Sequence, residues 1–285
     1  MSGRSSGAVL VTGASSGIGE ACARRLTNAG FQVFAGVRKP QDGERLRGAI
    51  PGVTPVILDV TDQAAIASAV RDVGEAVGAR GLAGLVNNAG IAVPAPLEYQ
   101  PLDDFRRQIE VNLIGQVAVT QAFIPLLRTA RGRIVNVSSI GGRVAVPLLG
   151  AYAASKFALE GFSDVLRREL RPWGIRVAVM EPGTIATPIW DKGIASGDEL
   201  NATMPAEAQQ AYGKLIAFVR EASVAGARDG LPPDAVAKDV EHALTARKPR
   251  TRYLVGREAK SRGILASLVP DRVLDAAIAR TMKWG

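Results

Sequence analysis

Residues 8–26, Ala8-Val-Leu-Val-Thr12-Gly13-Ala-Ser15-Ser16-Gly17-Ile18-Gly19-Glu-Ala-Cys22-Ala-Arg-Arg-Leu26, decide how this 285-residue chain folds. The opening run, 8–12, is continuously apolar rather than alternating, as in a strand covered on both faces. Three glycines follow in the pattern Gly-x3-Gly-x-Gly, and a helical period starts at once. A strand, a glycine-rich turn and a helix N-terminus together present bare backbone N–H groups to an anion. Gly13, Ser15, Ser16, Gly17, Ile18 and Gly19 are therefore candidate contacts for a pyrophosphate. The pattern is one residue longer than the common dinucleotide fingerprint, and taken alone it is also how an ordinary α/β protein starts a helix.

Working outward, further short apolar runs at 31–37, 54–58, 82–86, 133–137 and 175–180 alternate with amphipathic stretches at 17–29, 62–78, roughly 102–129 and 152–171. That alternation predicts an α/β fold: a doubly wound parallel sheet with helices on both faces. Pro232-Pro233 open a helix at 234–246, and Tyr253-Leu254-Val255 make a last edge strand, about the seventh. Residues 184–230 break the rhythm with Pro188, Gly193, Gly197 and Pro205 around one helical piece, as a substrate lid would. No linker divides the chain, so residues 1–256 read as one dinucleotide-binding catalytic domain, with 257–285 as its helical, basic extension.

One Cys and one His exclude a disulfide framework and a structural zinc cluster, so no metal is expected. No apolar run approaches the ~18–20 residues of a membrane helix, and the first residues carry no cleavable apolar segment. A cytoplasmic location is expected. The net charge of +8 invites a polyanion partner, but residues 245–285 hold ten Lys/Arg against three Asp/Glu and the remainder is nearly neutral. Without an aromatic ladder among these cations, nucleic acid is not expected as a partner.

The end of the second strand distinguishes the nicotinamide cofactors. A carboxylate there holds a ribose diol, whereas a cation suits a 2′-phosphate. Val37 stands at the acidic position, with Arg38 and Lys39 next, so NADP(H) is preferred and NAD(H) is the alternative. Asp59, ending the third strand, suits an adenine amino group. Tyr152 and Lys156, four apart on a helix, share a face. An ammonium ~4 Å from a phenol at an effective dielectric of ~20 contributes about 4 kcal/mol, or roughly three pKa units, which would bring the phenol toward neutrality. The pair follows a strand ending Asn136-Val-Ser138-Ser139, where ligands of doubly wound sheets bind.

These residues resemble the short-chain dehydrogenase/reductase family. The resemblance rests on Thr12-Gly13-x3-Gly17-x-Gly19, Asp59, Asn87-Asn88-Ala89-Gly90, Asn112, Ser139, Tyr152-x3-Lys156 and Pro182-Gly183, and it runs from about residue 8 to at least 190. It implies a Rossmann-like fold and NAD(P)-dependent hydride transfer between an alcohol and its carbonyl. By that resemblance Asn112, Ser139, Tyr152 and Lys156 are catalytic. Tyr152 moves the proton, Lys156 lowers its pKa and binds ribose, Ser139 orients the substrate oxygen, and Asn112 holds a helix kink and a water. Asp59 and Val60 would flank the adenine, Asn88, Ala89 and Gly90 the central region, and Pro182, Gly183, Ile185 and Thr187 the nicotinamide. A homodimer or homotetramer through the 152–171 helix is implied as well.

Val93, Val144 to Leu149, and Trp190 give the site an apolar lining, suited to a steroid-, retinoid- or lipid-like substrate. The same side chains would equally serve to pack the lid. The region from His242 to Lys260 resembles the branch of retinol, hydroxysteroid and 3-hydroxybutyrate dehydrogenases. His242 and Cys22 read as structural. Residues 263–284 leave three roles open: a terminal helix, a pocket cap, or a peripheral membrane contact. The competing functional readings are a non-catalytic dinucleotide-binding sensor and a reductase of smaller polar ketones.

Overall fold

The computed structural model describes residues 7–282. Seven strands form one parallel sheet: β1 (Ala8–Val11), β2 (Gln32–Val37), β3 (Thr54–Ile57), β4 (Gly84–Asn87), β5 (Arg133–Val137), β6 (Arg176–Pro182) and β7 (Arg252–Val255). They lie in the order β3-β2-β1-β4-β5-β6-β7. The helices are α1 (Gly17–Asn28), α2 (Pro40–Ala49), α3 (Gln63–Val77), α4 (Leu102–Ile109), α5 (Gly115–Ala130), α6 (Gly150–Glu169), α7 (Ile189–Thr203), α8 (Ala206–Asp229), α9 (Asp234–Thr245), α10 (Arg257–Leu268) and α11 (Asp271–Met282).

β1 shows why its apolar run is continuous. Val9 and Val11 join one core with Cys22, Ala23 and Leu26 of α1 and with Val236 and Val240 of α9. Ala8 and Leu10 join the opposite core with Val73 of α3 and Val119, Phe123 and Leu127 of α5. Successive side chains of a strand point to opposite faces, so a strand sandwiched by helices needs apolar residues at every position. The chain runs β1-β2-β3 outward and then returns to place β4 on the other side of β1. The reversal leaves a crevice at the carboxyl ends of β1 and β4.

Four features depart from the sequence reading. α2 was not anticipated: it buries only Gly43 and Leu46, too little for a visible period. The single helix expected at 102–129 is α4 and α5 joined by a π turn, Glu110–Ile114. Taken together, Leu102–Ala130 is long and apolar enough to cross a membrane by length and composition, although polar residues interrupt it and leave no continuous apolar run. Its Val119, Phe123 and Leu127 lie against the sheet. The lid holds two helices, α7 and α8, rather than one helical piece.

Phe123 is fully buried beneath β4. Phe123→Ala is expected to cost about 3–5 kcal/mol in denaturant unfolding, because the cavity it leaves is walled by regular elements that cannot collapse.

Candidate active site

The crevice is built from the β1 turn. The Thr12 hydroxyl oxygen accepts from the backbone N–H groups of Asn88 (2.9 Å) and Ala89 (3.1 Å), while the Asn88 amide donates to the carbonyls of Thr12 and Gly13. Gly13 and Gly17 have φ of +61° and +57°, conformations that L side chains rarely adopt. A Cβ on Gly19 would lie 2.2 Å from the Gly13 carbonyl oxygen, so the helix can start this close only as glycine. Gly13, Ser15, Ser16, Gly17 and Ile18 line the cavity, while Gly19 stands behind the turn.

The cavity has a volume of about 1260 Å³. Pockets for one drug-sized ligand run to about 1,000 Å³, so this one has room for a dinucleotide and a second molecule. Leu58, Asp59 and Val60 form its wall beyond β3, with the Asp59 carboxylate accepting from the Thr61 N–H and hydroxyl. Asn88, Ala89 and Gly90 line the middle, and Pro182, Gly183, Ile185 and Thr187 the far side. Of the two cations expected at the 2′-phosphate, Arg38 lines the cavity and has no carboxylate partner among the described residues. Lys39 lies outside the wall, because its backbone is the N-cap of α2 and turns the chain away. The glycine cradle, the cavity volume and this cation fit a phosphorylated dinucleotide.

The candidate catalytic residues converge at the other end. Tyr152 and Lys156 share the cavity face of α6, and Ser139 follows the end of β5 opposite them. The Ser139 hydroxyl oxygen accepts from Gly141 N–H (3.0 Å) and hydrogen-bonds Tyr152. Lys156 is buried, donates to the Val137 carbonyl at 2.9 Å, and lies 5.7 Å from the Tyr152 ring centroid. Asn112 lies in the π turn behind the cavity, where its carboxamide pairs with both backbone groups of Ile91 and donates to Ser155 (3.1 Å). The Ser155 hydroxyl in turn donates to the Tyr152 carbonyl.

The electrostatics differ from the sequence expectation. Burial pushes the Tyr152 phenol above its ordinary value, opposed by the hydrogen bond from Ser139. Lys156 does not offset that burial, because its ammonium is turned to Val137 and is itself desolvated. Burial lowers its pKa to about 8, with Glu160 one turn along α6 opposing the fall.

Val93, Leu149 and Trp190, the expected substrate contacts, all line the cavity, and the Trp190 indole donates to the Ile185 carbonyl at 2.6 Å. Sequence reasoning missed part of the apolar wall: Phe218 and Val219 of α8, and Leu274, Ala277, Ile278 and Met282 of α11. The α11 residues stand at i, i+3, i+4 and i+8, a period that marks a buried face without saying what it faces. Of the three roles left open for the tail, α11 takes the pocket cap. Also missed was an ion cluster beside the Ser139 turn. Arg143 pairs with the fully buried Glu181 of β6 (2.6 Å), and Arg252 of β7 bridges Glu181, Glu160 and Asp164. Its members are scattered over 110 positions and share no motif. His242 accepts or donates to Tyr253 at 2.9 Å, and burial pushes the Cys22 thiol up to about 12, so both are structural.

The short chain dehydrogenase family profile matches residues 7–197. An NADPH-dependent 3-dehydrocapnine reductase of Ornithobacterium rhinotracheale is 36% identical, with 96% of each chain covered. Retinol dehydrogenase 16 of Mus musculus is 40% identical over 95% of this chain and 87% of its own. A crystallised short-chain dehydrogenase of Burkholderia cenocepacia, in complex with NADP, superposes with a TM-score of 0.71 at 28% identity, covering 95% and 96% of the two chains.

The buried ammonium carries a stability consequence. Unfolded, Lys156 titrates at 10.5; folded, at about 8. The unfolded state therefore binds more protons between those values, and the cost of burying the charge is present in full below about pH 8 and fades by about 10.5. Lys156→Met is expected to raise the melting temperature at pH 7, with the gain shrinking as pH approaches 10.5. A melting temperature unchanged or lowered at pH 7 contradicts this.

Proposed function

The chain belongs to the short-chain dehydrogenase/reductase family, and from that premise we propose that it interconverts a lipophilic alcohol and its ketone or aldehyde, with NADP(H) as preferred dinucleotide. It is an NAD(P)-dependent oxidoreductase acting on CH–OH groups, in the branch that includes retinol and hydroxysteroid dehydrogenases. The observation that carries the proposal is one continuous cavity with Ser139, Tyr152 and Lys156 between a dinucleotide cradle and an apolar wall.

The chain's own groups divide the work. Tyr152, held protonated at neutral pH by its burial, donates its proton to a carbonyl oxygen during reduction and takes it back during oxidation. Ser139, fixed by Gly141, orients that oxygen. Lys156, with a pKa of about 8, carries positive charge at neutral pH and favours the phenolate left after transfer. Asn112 holds α6 in place through Ser155. Gly13 to Ile18 would hold the pyrophosphate and Arg38 the 2′-phosphate. NADP(H), when bound, supplies or takes the hydride.

The NADP(H) preference is supported by Arg38 and by the NADPH-dependent relative and the NADP complex. The lipophilic substrate is supported by Val93, Leu149, Phe218 and Ile278 in the wall and by the relatives' names. Self-association is proposed through the outer face of α6, where Phe157 and Val165 are about half exposed.

Tyr152→Phe is expected to lower kcat by about 10²–10⁴-fold while leaving dinucleotide affinity unchanged. Near-normal turnover of a ketone panel by this variant would falsify the assignment. Arg38→Ala is expected to weaken NADPH binding by about 10–100-fold without changing NADH binding, measured by fluorescence titration. Equal losses for both dinucleotides would remove Arg38 from the 2′-phosphate.

A further inference from the structure

The C-terminal helices form a hairpin whose two sides differ. α10 is seated on the body by the fully buried Ala259, by Gly263 against Leu254, and by Glu258, which accepts from the Thr184 hydroxyl at 2.9 Å. α11 turns Leu274, Ala277, Ile278 and Met282 to the cavity, and none of its residues is fully buried. At the hairpin's tip the apolar residues face outward: Ile264 is 58% exposed, Leu268 77% and Val273 58%. Leu265 belongs to both surfaces, being 44% exposed and also part of the cavity wall.

Cations outnumber carboxylates around the tip, where Asp271 and Asp275 are the acidic residues of α11. Arg257 and Lys260 precede it along α10, and Arg272 and Arg280 follow it on α11. None of these four has a carboxylate partner among the described residues. An apolar tip between free cations matches an anionic lipid surface, where apolar side chains enter the acyl boundary and Lys and Arg reach the headgroups. A second copy of the chain would oppose one net positive surface to another.

We propose that the tip of the α10–α11 hairpin inserts into an anionic bilayer and that the apolar cavity opens to the membrane beside Leu265. A lipophilic substrate then reaches Tyr152 from the lipid without crossing water. Substrate delivery rests on the function proposed above; bilayer binding does not.

The experiment is sedimentation of the full-length NADP-loaded enzyme with vesicles of phosphatidylcholine alone or mixed with phosphatidylserine. The wild type is expected to pellet with the mixed vesicles and to be released by salt. Ile264→Glu combined with Leu268→Glu, both outside the cavity wall, is expected to bind them roughly tenfold more weakly. The same variant should reduce a short water-soluble ketone at the wild-type rate and a bilayer-dissolved long-chain ketone several-fold more slowly. Failure of the wild type to pellet, or equal pelleting of the variant, overturns the proposal. A variant that elutes as a smaller assembly without lipid assigns the tip to self-association and overturns it too. Equal rates on the bilayer-dissolved ketone overturn the opening at Leu265. Absence of turnover on both ketones counts against the enzymatic reading and leaves the vesicle result standing.

Discussion

The Thr12 hydroxyl joins the carboxyl ends of β1 and β4, and the rest of the site is arranged around that junction. In a doubly wound sheet the order reverses there, so two neighbouring strands send their chains to opposite faces and a crevice opens between them. Two backbone N–H groups of the Asn-Ala-Gly segment need an acceptor at that point, and one side-chain oxygen serves both. The closure brings Gly13 and Gly19 so near Ala89 and Asn88 that neither tolerates a Cβ. The glycine turn and the segment lining the middle of the cavity are thus positioned by the same contact.

Behind the crevice the site is stiffened by polar groups that cannot reach water. Asn87 of β4 donates to Asn136 of β5 and to Thr120, Asn136 donates to Ser163 of α6, and Asn112 links the π turn to Ser155. A buried amide has few alternative partners, so each bond fixes the relative height of two elements. The Arg143–Glu181–Arg252 cluster does the same for the turn carrying Ser139, tying it to β6, β7 and α6. This rigidity comes with a desolvated lysine, a stability cost borne at the position where charge is useful.

The apolar half of the cavity is assembled differently, from helices inserted after β6 and from the chain's end. α7 and α8 are joined by the Arg220–Asp198 pair and rest on the body where the Tyr212 hydroxyl donates to Glu98. These contacts are exposed and therefore weak. α11 turns its apolar stripe to the cavity and buries none of its residues fully. The apolar wall is accordingly the less firmly held part of the cavity, and the end that carries Ser139, Tyr152 and Lys156 the most firmly held.

The amino-acid sequence by itself determined the sheet, the phosphate turn and the pairing of Tyr152 with Lys156, because these depend on short-range spacing. Continuous apolar runs mark strands covered on both faces, glycine marks a turn no other residue can make, and a four-residue interval puts two side chains on one helical face. Tertiary structure decided what depends on burial and on residues far apart. It brought Arg38 rather than Lys39 to the cavity, since the start of α2 turns the second cation outward. It raised the phenol instead of lowering it, since desolvation at the end of β5 outweighs an ammonium engaged with Val137. It also made α11 a wall of the pocket: a period of 3.6 says that one face of a helix is covered, and only the fold says by what.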